Sequence, residues 1–144
     1  MKEKDPQKVA RLLNDLDAQQ REKLLGQMAE LHPELAEAIR DALFTFSDII
    51  YVEDKGLQAF LRELDQRTLA KMLKHADSAV IDKILSNLSK RARIMLLEEQ
   101  EALGKVRLSE ITSLQKDLAR QVRQLGEEGK LIIIRPEDDD PLIQ

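Results

Sequence analysis

Apolar residues recur at helical spacing along most of the chain. Val9, Leu12, Leu13 and Leu16, three and four apart, mark one face of a helix that Pro6 is suited to open. Asp17 is placed to cap a second helix with Leu24, Leu25 and Met28 turned inward. His32-Pro33 breaks that pattern, and Pro33 opens a third helix carrying Leu35, Ala38, Ile39, Ala42 and Leu43. Ser47 or Asp48 is read as the cap of a further short helix. Residues 49–52 are apolar and β-branched but too isolated for a strand, and Asp54-Lys55-Gly56 reads as a turn. Helices resume with Leu57, Phe60, Leu61 and Leu64, then Leu69, Met72 and Leu73, and then Ile81, Ile84, Leu85 and Leu88 behind a cap at Asp77 or Ser78. A long helix over residues 106–125 points Leu108, Ile111, Leu114, Leu118 and Val122 inward and stops at Gly126 and Gly129. Residues 131–134 form an apolar, mostly β-branched run suited to a short edge or cover strand. The pattern predicts an all-α chain.

A repeat underlies this order. Leu13-x-x-Leu16-Asp17 followed by Leu24-Leu25 matches Leu61-x-x-Leu64-Asp65 followed by Met72-Leu73, and half that offset leads on to Leu85, Leu88, Leu96 and Leu97. Hairpins at such a period suggest stacked, armadillo-like layers in which each hairpin buries its face on a neighbour. The longest interval without helical periodicity, residues 44–56, marks the expected break between two lobes.

Residues 86–108 stand apart. They read as one charged helix, capped at Ser89 and closed at Gly104, with bases first (Lys90, Arg91, Arg93) and acids later (Glu98, Glu99, Glu101). This order opposes the helix macrodipole, which favours acids at the N-terminal end and bases at the C-terminal end. At about 100° per residue, Ala92, Met95, Leu96 and Leu103 share one arc, while Ile94 and Leu97 fall on the side expected to face solvent. Arg91 and Glu98 share a flank. Glu99 falls near the apolar arc and calls for a partner, for which Arg107 is the candidate. Exposed ion pairs contribute only about 0–1 kcal/mol each, so fold stability gives little reason for the pattern.

Composition narrows the chemistry. Of 144 residues, 42% are hydrophobic and 3% aromatic, so the core is aliphatic; 35% are charged, with a net charge of −4. That balance argues against a nucleic-acid or anionic-membrane binder. No apolar run reaches the length of a transmembrane segment, and the start MKEKDPQK has no signal-peptide core. Without cysteine there are no disulfides, thiolate catalysis or zinc–thiolate sites. The simplest expectation is a cytosolic chain. His32 and His75 lie in different helical units with no partner in sight. Gly126-x-x-Gly129-Lys130 lacks the spacing of a phosphate-binding loop. Adjacent carboxylates such as Glu98–Glu99 and Glu127–Glu128 do not face each other on a helix. No catalytic, cofactor or metal site is expected, and the chain does not read as an enzyme.

Further segments point to a family. Phe44-Thr45-Phe46, Leu57-Gln58 through Leu64-Asp65, Leu73-Lys74, Asn87-Leu88-Ser89-Lys90-Arg91-Ala92, Val106-Arg107-Leu108-Ser109, Gln115-Lys116 and Glu127-Glu128-Gly129-Lys130-Leu131-Ile132-Ile133 resemble the C-terminal part of the flagellar motor switch protein family FliG, in order and spacing, over nearly the whole chain from about Val9. The resemblance implies an armadillo-like helical subdomain over residues 1–43 (matched from 7) and a hinge and linker over 44–56. A six-helix torque-generating bundle over 57–135 and an acidic, disordered tail over 136–144 complete the division. Phe44-Thr45-Phe46 matches the family's Met-Phe-x-Phe hinge, with Leu43 in place of Met.

By the same resemblance, Lys74, Arg91, Glu98, Glu99 and Arg107 match the charges that meet the cytoplasmic loop of the stator protein MotA, and all five keep the family's sign. The implied role is torque generation and direction switching at the cytoplasmic face of the flagellar basal body, without a cofactor, with FliM or other FliG-type subunits as further partners. Departures are His75 for the usual Gly, Lys105 for the usual Pro, and Ile94 and Leu97 at commonly polar positions, where an altered contact is expected. The N-terminal domain that attaches to FliF and the middle domain with the FliM-binding Glu-His-Pro-Gln motif have no counterpart, so the chain is read as a fragment or a short paralogue. The alternative is a regulatory or adaptor paralogue that binds a non-stator protein through Ile94, Leu97 and the first lobe, or self-associates through that lobe. A weaker one is a magnesium-transporter domain with similar Leu-rich repeats.

Overall fold

The structure, a computed structural model, describes residues 6–135. The expected acidic tail over 136–144 lies outside the described residues. Among these residues the chain is all-α, with eight α-helices and one 3-10 helix. It divides into two compact units, Met1–Thr45 and Phe46–Gln144.

The first unit is built from α1 (Pro6–Leu13), α2 (Ala18–Leu31) and α3 (Pro33–Leu43). Asp17 caps α2 through a capping box: its carboxylate accepts from the Gln20 backbone N–H at 2.7 Å, and the Gln20 side chain accepts from the Asp17 N–H. Pro33 occupies the first turn of α3, where its missing N–H costs nothing. Ala10, Leu13, Leu25 and Ile39 make the core, with Val9, Leu16, Met28 and Leu35 against it. The predicted stripes were too wide. Leu12 on α1 is 65% exposed and Leu24 on α2 also lies outside the core, so each helix buries a narrower face than its apolar spacing marks. Arg21 donates to the Leu13 and Leu16 carbonyls, satisfying the end of α1.

The second unit opens with the 3-10 helix Phe46–Tyr51, followed by α4 (Asp54–Arg62), α5 (Gln66–Met72), α6 (Ser78–Ser86), α7 (Lys90–Ala102) and α8 (Leu108–Glu127). Ser47 is not a cap: its hydroxyl donates to the Asp77 carboxylate at 3.0 Å, and Asp77, at the N-cap of α6, makes no side-chain capping bond there. Residues 54–56 are the first turn of α4 rather than a loop. A Cβ on Gly56 would come within 2.7 Å of Leu131 Cδ2, so any larger residue there obliges the Leu131 side chain to move. The expected strand over 131–134 reduces to one antiparallel bridge, Val52 with Ile133, flanked by bonds from Glu53 N–H to Ile132 O and from Ile134 N–H to Tyr51 O, both 2.8 Å. α8 runs past Gly126 and ends in a Schellman motif at Gly129 (φ +78°), where the Lys130 N–H reaches the Leu125 carbonyl. Leu108, expected inside, is exposed because it is the first residue of α8.

The sequence repeat has a local structural counterpart. In all three copies the second Leu donates back to the first (Leu16 to Leu13, Leu64 to Leu61, Leu88 to Leu85), tightening the chain before a cap. The next residue, Asp17, Asp65 or Ser89, then accepts the backbone N–H three positions on. The repeat encodes a helix–corner–helix unit.

Candidate functional site

The charged helix begins at a corner fixed by polar bonds to one buried side chain. Asn87, 8% exposed, closes α6 and donates to Asp54 Oδ1 at 3.0 Å and to the Lys83 carbonyl at 2.9 Å, while its own Oδ1 accepts from Gln58 Nε2 at 3.0 Å. Lys83 Nζ meets the same Asp54 oxygen at 2.7 Å. The Lys83 and Asn87 bonds to the Asp54 carboxylate hold its pKa below the ordinary value. This network ties the start of α4 to the end of α6, two residues before Ser89 caps α7 through the Ala92 N–H at 3.1 Å.

α7 is narrower on its buried side than the pattern predicted. Leu96 is wholly buried and Leu103, just past the helix, is nearly so; Ala92, Glu99 and Gln100 are half-buried. Met95, placed inward by the sequence pattern, is 44% exposed, alongside Ile94 at 50% and Leu97 at 53%. The expected outward placement of Ile94 and Leu97 holds. The helix has no acid in its first turn and no base in its last, so its charge order opposes the macrodipole along the full element.

The five predicted interaction charges sit as follows. Arg91 and Glu98 are exposed on α7; seven residues apart, they differ by only about 20° around the helix. Glu99 is half-buried. Arg107 is exposed at the N-cap of α8, and the expected Glu99–Arg107 ion pair does not form. Lys74 is exposed just after α5, which packs on α7. Its segment is held by Gln115, whose amide donates to the Met72 carbonyl at 2.9 Å and the His75 carbonyl at 2.8 Å, and by a 2.8 Å ion pair between Lys71 and Glu110. None of the five makes a side-chain hydrogen bond or ion pair among the described residues. Asn87 and Gln115, which hold the two ends of this surface, were missed by the sequence reading. The only signal for them was that both fall inside quoted family segments.

Phe44 and Phe46 are buried and Thr45 between them is exposed, at the division of the two units. His32 and His75 are both exposed, and no group of three or more acidic or histidine side chains among the described residues is arranged to hold a metal. No described helix is long and apolar enough to cross a membrane.

The comparisons agree on one family. The family model described as FliG C-terminal domain matches residues 26–133. The flagellar motor switch protein FliG of Borreliella burgdorferi is 37% identical over 135 residues, covering 94% of this chain and 39% of that protein. The one from Thermotoga maritima is 38% identical over 127 residues, covering 88% and 38%. The structure of full-length FliG from Aquifex aeolicus superposes with a TM-score of 0.77 at 38% identity, over 88% of this chain and 39% of that one. The chain therefore spans about two fifths of the length of these relatives, which are named for a motor-switch role and not for a reaction. With the family model covering most of its length and the all-α fold shared with full-length FliG, this chain belongs to the FliG C-terminal domain family.

Proposed function

We propose that the chain is a rotor-side module of the flagellar switch that meets the cytoplasmic loop of a MotA-type stator through complementary charges. Arg91 and Lys74 face acidic stator residues; Glu98 and Glu99 face basic ones, with Arg107 at the edge. The observation that carries this reading is the exposed, unpartnered Arg91–Glu98 flank of α7, whose charge order no internal contact explains. Unsatisfied surface charge of both signs suits brief, repeated encounters, because complementarity raises encounter rate and selectivity more than affinity. The module works without a cofactor at the cytoplasmic face of the basal body. Phe44-Thr45-Phe46 acts as the hinge that reorients α7 when rotation reverses, and FliM or other FliG-type subunits are its rotor-side neighbours.

The adaptor reading draws on a specific observation, the exposure of Ile94 and Leu97 on the same helix. Under that reading a non-stator protein covers them. The test is the double reversal Arg91→Glu, Glu98→Arg, introduced into the rotor. It should abolish or strongly impair motility while folding normally, since both positions are exposed and Arg91→Glu puts an acid in the first turn of α7, a gain of about 0.3–1 kcal/mol. Normal swimming by that variant would refute the stator assignment.

A further inference from the structure

The outer ridge of α7 is complementary to itself. Residue numbers mirrored about the midpoint between Ile94 and Met95 pair Arg91 with Glu98, Lys90 with Glu99, and Ile94 with Met95. At about 100° per residue, Arg91 and Glu98 lie within about 10° of the direction that bisects Ile94 and Met95, on the side away from buried Leu96. Ile94 and Met95 flank that line, and Lys90 and Glu99 border it a quarter-turn to either side. A two-fold axis perpendicular both to this direction and to the helix sets a second α7 antiparallel to the first and facing it. It brings Arg91 opposite the second copy's Glu98, a contact made twice, and sets Ile94 beside the second copy's Ile94 and Met95 beside its Met95.

We propose that α7 is a self-pairing surface, and that two copies of this chain associate through it, antiparallel, around exposed Ile94 and Met95. This does not rest on the stator reading. It accounts for two features together: large apolar side chains left half-exposed between charges, and a charge order that opposes the dipole of one helix but complements an antiparallel neighbour. A contact confined to one 13-residue helix falls at the small, reversible end of protein interfaces. The pair is therefore weak, and it masks Arg91 and Glu98 until another partner displaces it.

Sedimentation equilibrium of the full 144-residue chain tests this. The weight-average mass should climb from one chain toward two with concentration. Arg91→Glu or Glu98→Arg alone should weaken pairing about tenfold, because each reverses two contacts at once. Arg91→Glu with Glu98→Arg restores the mirrored complementarity and should regain self-association, although the same double variant should fail to bind the stator loop. A wild-type chain that stays monomeric, association that single reversal leaves untouched, or a double variant that stays monomeric would each overturn the proposal. Circular dichroism of the variants, all altered at exposed positions, confirms an intact fold. If self-association is absent while stator binding still depends on Arg91 and Glu98, this inference fails and the stator reading stands.

Discussion

Removing the Asn87 amide should loosen the corner that aims α7. Asn87→Ala deletes three hydrogen bonds, to Asp54, to the Lys83 carbonyl and from Gln58. Neutral bonds contribute about 0.5–1.5 kcal/mol each and a bond to a charged group about 1.5–3 kcal/mol. The Asp54 side chain is 66% exposed and Gln58 is also exposed, so water replaces much of what both lose. The low end of each range applies, for a total of about 2–3 kcal/mol. For a unit of this size that lowers the midpoint of thermal unfolding by about 10–20 °C. Calorimetry and urea titration measure both quantities, and amide exchange should quicken over residues 90–93 before global unfolding. Asn87→Asp separates bonding from volume. It sets a carboxylate against the Asp54 oxygen and the Lys83 carbonyl, so it should cost more than the alanine at pH 7 and recover part of that below about pH 4. A loss under about 0.5 kcal/mol for Asn87→Ala would show that the network is incidental and that packing alone fixes the start of α7.

Two further outcomes follow from the same geometry. The pKa of Asp54 is lowered in the fold by Lys83 and Asn87, so the ionised form is favoured in the native state. Its contribution is present above the ordinary carboxylate value of 3.8 and lost as pH falls through the lowered one; urea midpoints of wild type and Lys83→Met should differ near neutrality and converge in acid. The glycines should split by environment. Gly26→Ala, inside α2 with nothing within 4 Å, should stabilise by about 0.5–1 kcal/mol. Gly126→Ala meets Ile133 Cδ1 at 2.7 Å and should gain nothing or lose up to about 1 kcal/mol, as urea midpoints will show.

What the sequence disclosed was chiefly local chemistry. Asp17, Pro33 and Ser89 start their helices as predicted, because a cap needs only its neighbours three residues on. The apolar stripes overreached at Leu12, Leu24, Met95 and Leu108, since periodicity marks a face but not how much of it a neighbour covers. Gly56 reads as a turn in the sequence but lies in the first turn of α4 with Leu131 beside it, and no spacing rule reports a contact across 75 residues of sequence. For the same reason Asn87 and Gln115 were not legible: apart from the Lys83 carbonyl, their partners lie 29–43 residues away. The charges of α7 were legible as an anomaly, and their exposure followed from the pattern; the missing Glu99–Arg107 pair did not.

The most direct test of the central claim is binding of this chain to the isolated cytoplasmic loop of the MotA stator, by titration at low and high salt. The account predicts measurable affinity that falls with salt, is lost in Arg91→Glu, Glu98→Arg, and returns when the opposing stator charges are reversed in turn. Equal binding by wild type and the reversed variant would contradict it.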